Sequence, residues 1–298
     1  MFPPFDTERD DRKRRQRVFA RGQVPIRVLI PNIFTLVGLC AGLTAIRMGI
    51  EHRWDLAVAA LVFAAFLDGI DGRVARLLKA SSRFGAELDS LADFVNFGVA
   101  PGLMLYFWQL HELGNAGWIA AMVFAISGGL RLARFNATMD DPNKPAFAAN
   151  FFTGVPAPAG AITVLLPIYI AFLDLGRTPV AVTAAYTLLI AFLMVSRLPV
   201  FSGKTKRMRV PPELVLPAFV AVIVFIALLI AYPWHVLSIG TVLYLLCLPL
   251  GYKSYRDQAR AMEANAPAEG ELSSPPSAPT VANLSEPPHD EDRTGRLH

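Results

Sequence analysis

Four aspartates stand where a membrane-spanning chain should carry none: Asp68, Asp71, Asp89 and Asp93. Asp68 and Asp71 are three residues apart and Asp89 and Asp93 four apart, so on helices each pair shares one face. Two facing pairs of carboxylates make a hard, oxygen-rich site of the kind that takes Mg2+ or Mn2+. Each Asp at the centre of a spanning helix costs about 2.5–3.5 kcal/mol on insertion scales, so the four demand a compensating charge. Gly69, Gly72, Ala75 and Gly85 clear side-chain bulk beside them, and Arg76 adds a cation that can grip a phosphate through two parallel hydrogen bonds. Divalent ions, an arginine and a glycine clearing are the parts of a phosphoryl-transfer site. Acids buried in a membrane can instead serve an ion or lipid transporter. The Gly, Ala and Arg at fixed distances from the acids weigh against that reading.

The rest of the chain supplies the helices that must hold these residues. Of its 298 residues 54% are hydrophobic and 17% charged, and the mean hydropathy is +0.42. Soluble domains carry about a quarter charged residues, so this balance belongs to a membrane. The apolar runs predict an all-α polytopic membrane protein of about eight transmembrane helices. They fall near 28–49, 54–79, 86–106, 117–137, 155–174, 179–197, 213–232 and 235–252. Ala80 to Phe84, with two serines, is expected to break the helix and let the two acidic faces turn toward each other. With the second span entering near Leu56, Asp68 lies about 18 Å along it, past the middle of a roughly 30 Å core. The chain divides into a basic segment 1–27, a transmembrane catalytic domain 28–252 and a tail 253–298. From about residue 262 that tail is rich in Pro, Glu, Ser and Ala and is expected to be largely disordered.

The net charge of +4 does not signal nucleic acid, because no binding motif accompanies it. It encodes topology instead. Of the 28 Lys and Arg residues, only Arg47, Arg53 and Arg177 fall on one side of the eight spans. That asymmetry puts both termini and the acidic site on the cytoplasmic side of the cell (inner) membrane. Cys40 and Cys247 lie in apolar segments and read as small buried hydrophobes. The five histidines do not cluster in any cytoplasmic pocket, which excludes them from catalysis. Trp54, Phe107, Trp108, Trp118 and Trp234 fall at span ends, as interfacial aromatics do.

The string Asp68-x2-Asp71-Gly72-x2-Ala75-Arg76-x8-Gly85-x3-Asp89-x3-Asp93 resembles in full the signature of the CDP-alcohol phosphatidyltransferases. The resemblance implies a six-helix catalytic body, in a homodimer, with a polar cavity open to the cytoplasm. It implies that Asp68, Asp71 and Asp89 ligate two divalent ions, and that Asp93 is both a ligand and the general base. Gly72, Ala75, Arg76, Ser82 and Gly85 would contact the CDP moiety. Pro31-Asn32-x2-Thr35 resembles the family's first helix, with Asn32 facing the nucleotide. Asp93 to Pro101, Leu130 to Asn136 and Phe152 to Pro158 resemble the members that use serine, the membrane-type phosphatidylserine synthases. The substrates implied are CDP-diacylglycerol and L-serine. Choline, inositol phosphate or glycerol phosphate remain alternatives as acceptor. A serine carboxylate needs a cation in a desolvated cavity, so Arg131 and Arg134 are the expected acceptor-binding residues, with Asn96 and Asn136 beside them.

Overall fold

The computed structural model describes residues 26–78, 82–139, 151–196, 198–201 and 212–265. The expected basic segment before residue 26, and the tail beyond 265, lie outside these residues. Eight helices follow in chain order. They are α1 (Ile26–Ile50), α2 (Trp54–Leu77), α3 (Arg83–Trp108), α4 (Asn115–Met139), α5 (Ala157–Phe172), α6 (Val180–Val195), α7 (Pro212–Ala231) and α8 (Pro233–Asn265). All eight predicted spans are present as helices. The described residues up to Gln258 form one compact unit, and the described residues 259–265, which belong to a second, are helical. The last helix therefore continues past 252, where the tail was expected to start.

Five helices, α1, α3, α4, α7 and α8, are long and apolar enough to cross a membrane. The 24 residues of α2 would also reach across, but the helix carries Asp68, Asp71, Arg73 and Arg76. The apolar α5 and α6 are shorter, and α5 is interrupted at Leu165, just before Pro167. A spanning chain must satisfy its backbone within each segment, which helices alone do here. Among the described residues the departure is a short antiparallel ribbon, β1 (Phe151–Thr153) with β2 (Pro199–Phe201), which no alternation in the sequence announces. Gly154 follows it at φ +80°, and its N–H donates to Leu198 O at 2.8 Å. A side chain there would meet the carbonyl of Met194, so glycine is required for both reasons.

α1 lies along α2 and also against α3, and α4 packs against both α3 and α6. Phe97, Met104, Leu105, Phe124, Ile168, Tyr169 and Met194 fill the interior between the helices. The aromatic residues expected at span ends gather on one another. Trp54 packs edge-on to Trp108 at 5.0 Å, and Phe172 stacks on Trp234 at 4.4 Å. Trp54 is 8% exposed, so it belongs to the core rather than to an interfacial rim. Cys40 and Cys247 are exposed, contrary to the buried reading. An apolar helix facing lipid leaves its small residues open on the outside, which composition alone cannot separate from burial.

Candidate active site

The site is set where α2 ends and α3 begins. α3 begins at Arg83, capped by Ser82, whose hydroxyl oxygen accepts from the Gly85 N–H at 3.0 Å. This restarts the helix with its acidic face toward α2. Asp68, Asp71 and Asp89 then each offer a carboxylate oxygen, all within 4.8 Å of one another. Asp93, one turn beyond Asp89, faces Asp68 at hydrogen-bonding range and lines the same cavity with Thr35 and Asn96. The predicted four acids are thus brought together, three as a tight group and Asp93 against its flank.

Asp71 is the most enclosed, at 5% exposed. The Thr35 hydroxyl lies 3.0 Å from its Oδ2, and the Gly72 N–H donates to its Oδ1. The ion pairs formed by described residues lie elsewhere, at Arg47–Glu51, Arg53–Glu51 and Arg177–Glu112. An all-oxygen group of acids, partly withdrawn from water and, among the described residues, in no salt bridge, fits a hard divalent ion.

Of the residues expected on the nucleotide side, Asn32, Ser82 and Gly85 lie together. A Cβ placed on Gly85 would come 2.8 Å from Asn32 Oδ1 and 3.1 Å from Ser82 Oγ, so these three residues meet at the start of α3. A Cβ on Gly72 would meet nothing within 4 Å, which leaves open space beside the acids. Arg76 is exposed in the last turn of α2 and Ala75 half-buried beside it.

The four residues expected to bind the acceptor part company. Arg134 Nη1 donates to Val195 O at 2.6 Å and so ties α4 to the end of α6. Asn136 Nδ2 donates to Ser90 Oγ at 3.0 Å on the exposed surface. Neither reaches the acids. Arg131 does lie within charge-interaction range of Asp93 and Asp68, and its Nε is buried without a partner. Asn96 is 3% exposed, in a π-helical stretch Phe94–Val99 within α3, a wide turn common at functional sites. Its amide lies over Gly42 of α1, where a Cβ would sit 2.0 Å from Oδ1. Thr35 closes the Pro31-Asn32-x2-Thr35 motif, whose spacing gives it no role. Its role depends on a contact with a residue 36 positions away.

Residues 28–196 match the family model described as CDP-alcohol phosphatidyltransferase. That covers more than half of the chain. The chain belongs to the CDP-alcohol phosphatidyltransferase family. A second model, CDP-alcohol phosphatidyltransferase 2, matches residues 213–249, the region of α7 and α8. A protein of Mycobacterium bovis named CDP-diacylglycerol–serine O-phosphatidyltransferase is 39% identical over 230 residues, 76% of this chain and 79% of the relative. A Helicobacter pylori protein of the same name is 34% identical over 73% of this chain and 88% of its own. One of Bacillus subtilis is 39% identical over 138 residues, 46% of this chain and 74% of its own. The family match spans the acidic group, and of the signature residues Asp68, Asp71, Asp89 and Asp93 line one cavity.

Proposed function

We propose that the chain transfers the phosphatidyl group of CDP-diacylglycerol to the hydroxyl of L-serine, giving phosphatidylserine and CMP for phospholipid synthesis. The observation that carries this is the carboxylate group of Asp68, Asp71 and Asp89, within 4.8 Å and flanked by Asp93, in a chain whose relatives bear that name. Two divalent ions, Mg2+ or Mn2+, held by these four acids would supply the positive charge that neutralises the pyrophosphate. Asn32, Gly72, Ala75, Arg76, Ser82 and Gly85 hold the CDP moiety. Ser82 accepts from its own helix and keeps its O–H free to donate. Asp93 takes the proton from the serine hydroxyl. The oxygen forms a bond to the phosphorus that carries diacylglycerol, the bond from that phosphorus to the CMP oxygen breaks, and CMP leaves. No covalent intermediate on the enzyme is required, and orientation with charge stabilisation does most of the catalysis. The site opens to the cytoplasmic face of the inner membrane, and the working unit is a homodimer.

The test is CMP release by the full chain with CDP-diacylglycerol, Mn2+ and a panel of alcohols. Release that depends on serine, and is silenced by EDTA, is the expected result. Release with choline, inositol phosphate or glycerol phosphate instead would move the acceptor. No release with any alcohol would defeat the transferase reading and revive transport.

A further inference from the structure

Among the described residues, the side-chain atoms buried without a hydrogen-bond partner include Asn96 Oδ1, Arg131 Nε, Ser238 Oγ, Thr241 Oγ1 and Tyr244 OH. Three of these belong to one helix. Ser238, Thr241 and Tyr244 recur every third residue along α8 and form a stripe on one face. Ser238 and Thr241 are 8% and 3% exposed, so the stripe faces inward. A hydroxyl inside a helix often turns back to the carbonyl four residues earlier, as Thr187 does to Thr183. Ser238 and Thr241 do not. Polar groups kept from both water and partners are costly in a span, so a polar occupant belongs against this face.

Tyr244, at the end of the stripe, packs against the hydrophobic interior, and its OH and Arg131 Nε are both buried without a partner. Tyr244 and Arg131 lie within charge-interaction range of each other, and Arg131 within that of Asp93. Tyr244 sits about 14 Å along α8 from Lys253, and Asp93 about 15 Å along α3 from Arg83, so the two lie at a similar distance from the basic ends of their helices. We propose that Tyr244 and Arg131 together hold the carboxylate of the acceptor, the phenol O–H and the guanidinium N–H each donating to it. α8 is then the wall that distinguishes an amino-acid alcohol from a simple alcohol, and Thr241 extends its polar surface. This rests on the serine reading above and names a specificity residue for it, outside the signature carried by α2 and α3.

The test is steady-state CMP release by the full chain in mixed micelles of CDP-diacylglycerol with Mn2+. Tyr244→Phe keeps the ring and removes the O–H. Its serine KM is expected to rise about 10- to 100-fold, the loss of one hydrogen bond to a charged group. The KM for CDP-diacylglycerol and kcat should stay within about twofold. L-Alanine has the carboxylate and ammonium but no hydroxyl to react. It should inhibit the wild type in competition with serine, and its inhibition constant should rise by the same factor in Tyr244→Phe. A merely structural tyrosine would not move that constant. Unchanged serine KM and alanine inhibition, or an equal rise in the KM for CDP-diacylglycerol, overturns the proposal. Thr241→Val, nearly isosteric, carries the test if Tyr244→Phe does not fold, with a smaller rise in serine KM expected and no change overturning it. A wild type whose CMP release does not depend on serine defeats the acceptor reading itself, and that is seen before any variant is made.

Discussion

Asp71 shows how much of the site is decided one residue at a time. Its Oδ1 is held by the Gly72 N–H and its Oδ2 lies 3.0 Å from the Thr35 hydroxyl, so the carboxylate cannot turn. A fixed carboxylate binds an ion without first losing rotamer freedom, which is why residues behind metal ligands matter. Thr35→Val removes that hold while leaving every ligand in place. It should weaken the apparent affinity for Mn2+ about 10- to 100-fold, with kcat regained at saturating metal. Asp71→Asn should be inactive at any metal concentration. Titrating CMP release with Mn2+ separates the two, and a Thr35→Val curve that overlays the wild type would leave Thr35 without a role in the site. The aspartates were legible in the sequence because helical periodicity puts them on shared faces. Thr35 was not, because its partner is on another helix. Nor could spacing tell Arg131, beside the acids, from Arg134, which serves the carbonyl of Val195.

Between helices, glycines decide which side chains meet. On α3 a Cβ at Gly98 would lie 3.2 Å from Ala125 O, and one at Gly102 3.0 Å from Ala121 O; on α4 a Cβ at Gly128 would lie 3.0 Å from Gly98 Cα. The two helices therefore touch backbone to backbone, as small residues permit inside membranes. That approach brings Arg131, one turn past Gly128, within charge-interaction range of Asp93. Gly128→Val should force the helices apart, cost about 1–3 kcal/mol and abolish turnover along with thermal stability in detergent. Gly72→Ala is the contrast, since its Cβ meets nothing within 4 Å. It should melt like the wild type yet raise the KM for CDP-diacylglycerol, because the open space beside the acids is where the nucleotide belongs. An unchanged KM in Gly72→Ala would remove that residue from the nucleotide site. At this scale the sequence announced the eight helices and the break before Ser82. The π-helical stretch at Asn96, the interruption at Leu165 and the ribbon of β1 with β2 were hidden, because each is imposed by packing against other elements rather than by local preference.

Across the whole chain the open question is which way the site faces. The proposed topology takes all eight helices across the membrane, which returns the chain to the side where it began and puts most of the basic residues on that side. The loop between α3 and α4 lies at the opposite end, with Arg177 paired to Glu112 and set over Trp108. The orientation proposed here makes that end external and the start of α3 at Ser82 cytoplasmic. It can be read by cysteine labelling once the exposed Cys40 and Cys247 are replaced by alanine. Asn115 is an exposed probe position at the start of α4, whereas neighbouring Gly114 is unsuitable because its φ of +57° would strain a cysteine. Arg256 is an exposed position near the other end, on α8. In intact cells a membrane-impermeant maleimide should label Asn115→Cys and spare Arg256→Cys until the membrane is opened. The reverse pattern would place the acids on the external face. Cytosolic serine could not reach them there, and CMP would be released outside, so the proposed reaction could not draw on the cell's own substrates.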